Sequence, residues 1–307
     1  MEEPFILKTE VLYQNLKKYT NNHEFECKVW ENTDDRSNHV VIMFNGFLEG
    51  IGNREDHYEK YNEIGEQLNQ QGIVAILLPL PFHFGRSMAS DGQDTVSPVS
   101  RLKVHGIYLY HGGYTQVKAD VKALYQTIKD DPKRFRLTED FKVSILGYSI
   151  GGVSAIAAAK CLKDELQLKL DSLVVVLSAW KIQDIDASSV SRFFRSQLDA
   201  EAWTTMMNEL ETLRENENTD AVFKELIWGE DLGANPELNF EQIAKKVLFI
   251  DGQRDDIFNP AIMRERRETL LKKDLKNCTF LSLPVNHFGR LQKKFAAAKY
   301  IATFCSL

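Results

Sequence analysis

The chain has 307 residues, 43% of them apolar and 27% charged, with a net charge of -6. That composition supports a core of ordinary size, and it excludes collagen-like, disordered and disulfide-scaffold classes. The acidic balance argues against a nucleic-acid partner, which would need a concentrated basic surface. No apolar run reaches the roughly 18 residues of a membrane span. The acidic start Met1-Glu2-Glu3-Pro4 lacks a signal-peptide pattern, and Cys27, Cys161, Cys278 and Cys305 are scattered. These features predict reduced, packed thiols in a cytoplasmic protein.

Short apolar runs alternate with helical patterns along the chain. Val40 to Phe44 is a strand run ending at Asn45-Gly46, and 55–71 has helical spacing that stops at Gly72. Ile73 to Leu78 is a second strand run, closed by Pro79 and Pro81, and Tyr114 to Lys129 is helical before Pro132. Strand runs follow at Lys142 to Leu146, Leu173 to Leu177, Val247 to Asp251 and Thr279 to Leu283. Helices are predicted over Val153 to Lys163, Pro260 to Lys272 and 288–304. Continuous apolar strands between helices mean an α/β fold with a mostly parallel sheet covered on both faces. Ligands bind such sheets at the carboxyl ends of the strands.

Two stretches break the alternation. Residues 179–245 carry helical, acid-rich patterns and no strong strand run, so they are expected to form a helical cap inserted between core segments 1–178 and 246–307. Residues 87–113 are rich in Gly, Ser and Asp and read as a long irregular loop. The basic run at 264–267 is interrupted by Glu265 and reads as a solvated helix face.

The sharpest motif is Gly147-Tyr148-Ser149-Ile150-Gly151-Gly152, between a strand and an Ala-rich helix. A Gly-x-Ser-x-Gly pattern in that setting puts a serine on a tight turn above the sheet. The following helix aims its N-terminal amides at developing negative charge. Three further segments follow strand runs: Asn45-Gly46-Phe47, Asp251-Gly252-Gln253-Arg254-Asp255-Asp256, and Pro284-Val285-Asn286-His287.

With these residues in this order, the chain resembles the α/β-hydrolase superfamily over nearly its whole length. The resemblance implies a nucleophile elbow with Ser149 as nucleophile, His287 as general base and Asp255 as the acid that orients it. Asp256 is the alternative acid. It also implies an oxyanion hole from the amides of Phe47 and Ile150, with Asn45 replacing the usual histidine of that loop. Substrate contacts are expected from Asn45, Gly46, Tyr148 and Trp180. The cap aromatics Phe193, Phe194 and Trp203, with Met206 and Met207, either line an acyl pocket or form the cap's own core; Arg192 and Arg195 are possible contacts for an acidic group. Phe84-Gly85-Arg86-Ser87 resembles an architectural turn of the family.

The implied activity is that of a serine esterase or thioesterase working through an acyl-enzyme on a small-molecule substrate, with an apolar acyl group favoured. Acyl transfer on the same triad, and a silent binding scaffold, are the alternatives. No phosphate loop, dinucleotide fingerprint or metal-ligand spacing occurs, so no cofactor and no metal are expected. The oligomeric state is left open. His111-Gly112-Gly113 resembles an oxyanion motif but lies in the wrong segment and reads as a turn; His83 and His105 read as loop histidines.

Overall fold

The computed structural model describes residues 5–11, 23–31, 36–46, 58–81, 83–87, 108–178, 200–217, 219, 239–255, 257, 260–272, 275–287, 290–291 and 294–307. Its centre is an eight-stranded sheet. The strands are β1 (Phe5–Lys8), β2 (Glu24–Trp30), β3 (Ser37–Phe44), β4 (Val74–Leu77), β5 (Leu137–Tyr148), β6 (Leu170–Val176), β7 (Ala244–Gly252) and β8 (Cys278–Leu283). Their spatial order is β1-β2-β4-β3-β5-β6-β7-β8. All pairs from β4 to β8 are parallel, whereas β1–β2 and β2–β4 are antiparallel. Between β3 and β5 the winding reverses direction, and in open α/β sheets the crevice at that reversal is where ligands bind.

The side-chain period of two divides each central strand between two apolar layers. Val40, Ile42, Phe44, Val143, Ile145, Leu173 and Val175 face one layer, built with helices α2 (Tyr108–Asp130) and α3 (Ile150–Leu166). Val41, Met43, Leu146, Tyr148, Val174 and Val176 face the other, built with α1 (Glu59–Asn69) and α7 (Ala298–Ser306). Both faces are buried, which is why the central strands read as continuous apolar runs rather than alternating ones.

Several sequence expectations need correction. β1 and β2 fall in a region with no predicted strand. Helix α2 starts at Tyr108, so His111-Gly112-Gly113 lies in a helix and not in a turn. The predicted closing helix over 288–304 is instead a short antiparallel hairpin, β9 (Arg290–Leu291) with β10 (Lys294–Phe295), followed by α7. The hairpin is favoured because Phe295 is buried beside Tyr148 and its N–H donates to the Glu63 carboxylate of α1.

Of the predicted cap, helix α4 (Ala200–Glu215) is described, with Leu213 buried in the first apolar layer. The short helix α5 (Phe240–Ile243) belongs to the same layer, with Phe240 edge-on to Phe249 of β7 at 5.5 Å. The core therefore resumes before residue 246. Helix α6 (Pro260–Lys272) has the predicted bounds, and Arg264 and Glu265 on it are exposed. Cys27, Cys161 and Cys305 are buried thiols, Cys278 is half-buried, and all four are free.

Candidate active site

Strand register sets the site. Phe44 is opposite Gly147, Tyr148 opposite Val176, and Gly252 opposite Leu283, so β3, β5, β6, β7 and β8 end on one rim. The segments that leave this rim carry Asn45-Gly46, Ser149, Asp255 and His287.

Ser149 stands between β5 and α3 with φ 55° and ψ -124°, a conformation that side-chain-bearing residues rarely adopt. The neighbouring glycines make the turn sterically possible. A Cβ at Gly147 would sit 1.9 Å from the Gly151 carbonyl oxygen, and one at Gly151 would sit 2.4 Å from that of Asn45. The turn is anchored to the next strand by the Ser149 N–H, which donates to the Val176 carbonyl at 2.9 Å. Ile150 is the first residue of α3, and helix geometry leaves its N–H without an intrahelical acceptor.

Ser149 Oγ lies 2.9 Å from His287 Nε2, and His287 Nδ1 lies 3.2 Å from Asp255 Oδ2. The other Asp255 oxygen accepts the Ile257 N–H at 2.9 Å. All three side chains are buried. The acid and base loops are stitched together by main chain: Gln253 N–H donates to the Leu283 carbonyl at 2.8 Å and Arg254 N–H to that of Val285 at 3.1 Å. Gly252 permits this approach, because a Cβ there would lie 2.8 Å from the Val285 oxygen. Asp251 opens the acid loop; burial pushes its carboxyl above the usual range, opposed by a Ser282 hydrogen bond and by Arg267 and Arg264.

Other expected site residues are engaged differently. Asn45 is fully buried; its amide donates to the Gly46 carbonyl at 2.8 Å and accepts the Leu80 N–H at 2.8 Å. It joins the loop after β3 to the segment after β4. The Gly46 N–H donates to the Tyr61 hydroxyl of α1 at 3.0 Å. Tyr148 is buried, and its hydroxyl donates to the main-chain carbonyl of His287. Phe47, Asp256, Trp180, Arg192, Phe193, Phe194, Arg195 and His105 lie outside the described residues, as do the side chains of Trp203, Met206 and Met207. Sequence reasoning missed Tyr61; its one legible signal was a place on the apolar face of a predicted helix.

The turn over 84–87 carries Arg86, whose guanidinium is wholly buried in an ion pair with Asp120 of α2 at 2.6 Å, donates to the Pro79 carbonyl at 2.9 Å and stacks over Phe25 at 4.0 Å. His83 is buried with Nδ1 2.9 Å from the Pro81 carbonyl oxygen.

A second histidine–serine pair lies inside the sheet. His39 Nε2 is 2.7 Å from Ser144 Oγ, which is 2.6 Å from Ser172 Oγ. Ser144 and Ser172 have no exposed surface, and Ser144 precedes the rim residue Tyr148 by four positions, so this pair cannot meet a substrate. Among the described residues, no cluster of His, Cys, Asp and Glu could hold a metal ion, and no helix is long and apolar enough to cross a membrane.

No protein-family model matches the chain, and no curated protein does. Solved structures do match. An esterase from Pyrococcus furiosus has a TM-score of 0.57 at 14% identity, with 99% of this chain and 88% of that chain covered. An esterase from Pyrobaculum calidifontis has a TM-score of 0.57 at 14% identity, covering 99% and 84%. A protein from Xanthomonas campestris described as an α/β serine hydrolase without lid has a TM-score of 0.52 at 13% identity, covering 99% and 92%. At such identities the likeness is one of fold.

Proposed function

We propose that this chain, which has the α/β-hydrolase fold, is a serine hydrolase that cleaves a carboxylic ester or thioester through an acyl-enzyme on Ser149. The observation that carries the reading is the unbroken chain of contacts from Ser149 Oγ to His287 to the Asp255 carboxylate, with the serine held at positive φ. Esterases are among the proteins of like fold.

In this mechanism His287 Nε2 takes the Ser149 proton as Oγ bonds to the substrate carbonyl carbon, and the carbonyl electron pair moves onto oxygen. The amides of Ile150 and Phe47 hold that oxyanion; losing one such donor typically costs about 3 kcal/mol of transition-state stabilisation. Asp255 keeps the imidazole oriented with Nε2 toward the serine and stabilises the imidazolium. The tetrahedral adduct collapses, and the alcohol or thiol leaves with the proton from Nε2. Water, deprotonated by the same nitrogen, then releases the acid and restores Ser149.

Residues 179–238 begin just beyond Ser178, at the rim that carries Ser149. This supports a cap over the site, and its aromatic residues, Trp180 among them, favour an apolar acyl group. The buried thiols support a reducing, cytoplasmic setting.

The test is labelling with a fluorophosphonate followed by intact-mass analysis. Wild type is expected to take up one adduct and Ser149→Ala none. A wild type that stays unlabelled, or a Ser149→Ala variant that labels equally, refutes the assignment.

A further inference from the structure

Ser149 and His287 are 138 residues apart, and the strands that deliver them, β5 and β8, have β6 and β7 between them. Neighbouring strands are spaced about 4.8 Å, so nucleophile and base start roughly 14 Å apart at the sheet and meet only because the base loop folds back. No strand ladder sets their separation.

Besides the contact of Ser149 with the imidazole, a second side-chain bond among the described residues crosses that gap. Tyr148, immediately before the nucleophile, donates its hydroxyl to the main-chain carbonyl of His287. Its ring centroid is 6.1 Å from the imidazole and 5.8 Å from Phe295, against which it packs edge-on. Lys60 of α1 places Nζ 3.1 Å from the centroid of the Tyr148 ring. A cation on the face of a phenol draws electron density from the ring and makes its O–H a stronger donor. The next turn of α1 supplies Glu63, which accepts the N–H of Phe295 beyond the base.

We propose that Tyr148 is a positioning residue: its hydroxyl, strengthened by Lys60, holds the main chain of His287 so that Nε2 stays within reach of Ser149. The proposal deepens the hydrolase reading and rests on it for its catalytic meaning. A buried tyrosine hydroxyl usually finds a hydrogen-bond partner. Here the acceptor is the main-chain carbonyl of the base itself and the donor is the residue adjoining the nucleophile, where a small displacement is costly for rate.

The test uses the full chain and two variants, Tyr148→Phe and Lys60→Met. In Tyr148→Phe, kcat for p-nitrophenyl butyrate is expected to fall roughly ten-fold with KM unchanged, the size of effect that loss of one hydrogen bond gives. The downfield proton resonance of the His287 Nδ1–H, followed in histidine-labelled protein, should shift or broaden. Lys60→Met should move both readouts in the same direction by less. Wild-type kcat with an unmoved resonance in Tyr148→Phe overturns the proposal and leaves the triad reading standing. If wild type neither labels nor turns over, the hydrolase reading fails, and the resonance alone decides positioning: a shift supports it, none overturns it. Should Tyr148→Phe not fold, Lys60→Met carries the same decision.

Discussion

His39 and His287 are both buried and both bonded to a serine, yet one lies within the sheet and the other on its rim. His39 sits within the sheet, where burial pushes its imidazole down to about 4; the lysines at 142, 246 and 245 act in the same direction, and Asp171 opposes them. An unfolded histidine protonates near pH 6.5. Between about 6.5 and 4 the unfolded chain therefore holds a proton that the folded one does not, and stability falls as pH falls through this window. The loss attributable to His39 is expected to reach about 2 to 3 kcal/mol by pH 4.5. Urea midpoints at pH 7 and pH 4.5 for wild type and His39→Gln would measure it: the variant's acid slope should be the shallower, and equal slopes would contradict the assignment. The residues of the site differ in how legible they were. That Ser149, Asp255 and His287 would stand on the rim was legible because each follows a strand run at a short distance, whereas the roles proposed for them came from the resemblance. Spacing could not separate Asp255 from Asp256; the Asp255 carboxylate lies 3.2 Å from the imidazole, and Asp256 lies outside the described residues. Lys60 and Tyr61 were unreadable as site residues, since a lysine and a tyrosine on an amphipathic helix announce nothing about the loops they will touch.

At the scale of elements, the parallel strands were legible and the antiparallel ones were not. β2 reads Glu-Phe-Glu-Cys-Lys, with Phe25 and Cys27 buried and Glu24 and Glu26 exposed. That alternation is the mark of a strand with one solvated face, and a search for continuous apolar runs passes over it. The stretch after His287 failed for the opposite reason. Leu291 and Phe295 have helical spacing, but β9 and β10 pair instead, and α7 starts only at Ala298. The start of α3 shows how tightly two elements share space. Gly151→Ala would drive a methyl group toward the Asn45 and Phe44 carbonyl oxygens, at 2.4 and 2.6 Å, and backbone cannot yield as a side-chain tip can. Overpacking of this kind costs about 1 to 3 kcal/mol, and here it also parts the elbow from the loop after β3. The expected result is a lower thermal midpoint and at least a ten-fold slower fluorophosphonate reaction. Wild-type values of both would show that the helix can retreat without consequence.

On the scale of the whole molecule, two apolar layers hold a sheet whose rim carries Ser149, Asp255 and His287. The sheet was foreseeable from composition and run length. The convergence of four rim segments was foreseeable only through a resemblance, because contacts across more than a hundred residues leave no local trace. One residue on that rim is held against its own preference. A backbone at φ 55° and ψ -124° is strained for serine and ordinary for glycine. Ser149→Gly should therefore give an inert protein that resists urea better than its parent, by about 1 kcal/mol once the greater freedom of unfolded glycine is subtracted. A variant no more stable than wild type would mean that the turn is relaxed as it stands. If the gain is found, drift would favour the inert form in any lineage released from selection on the reaction. A serine that persists at this position in distant descendants would then be a record of continued use.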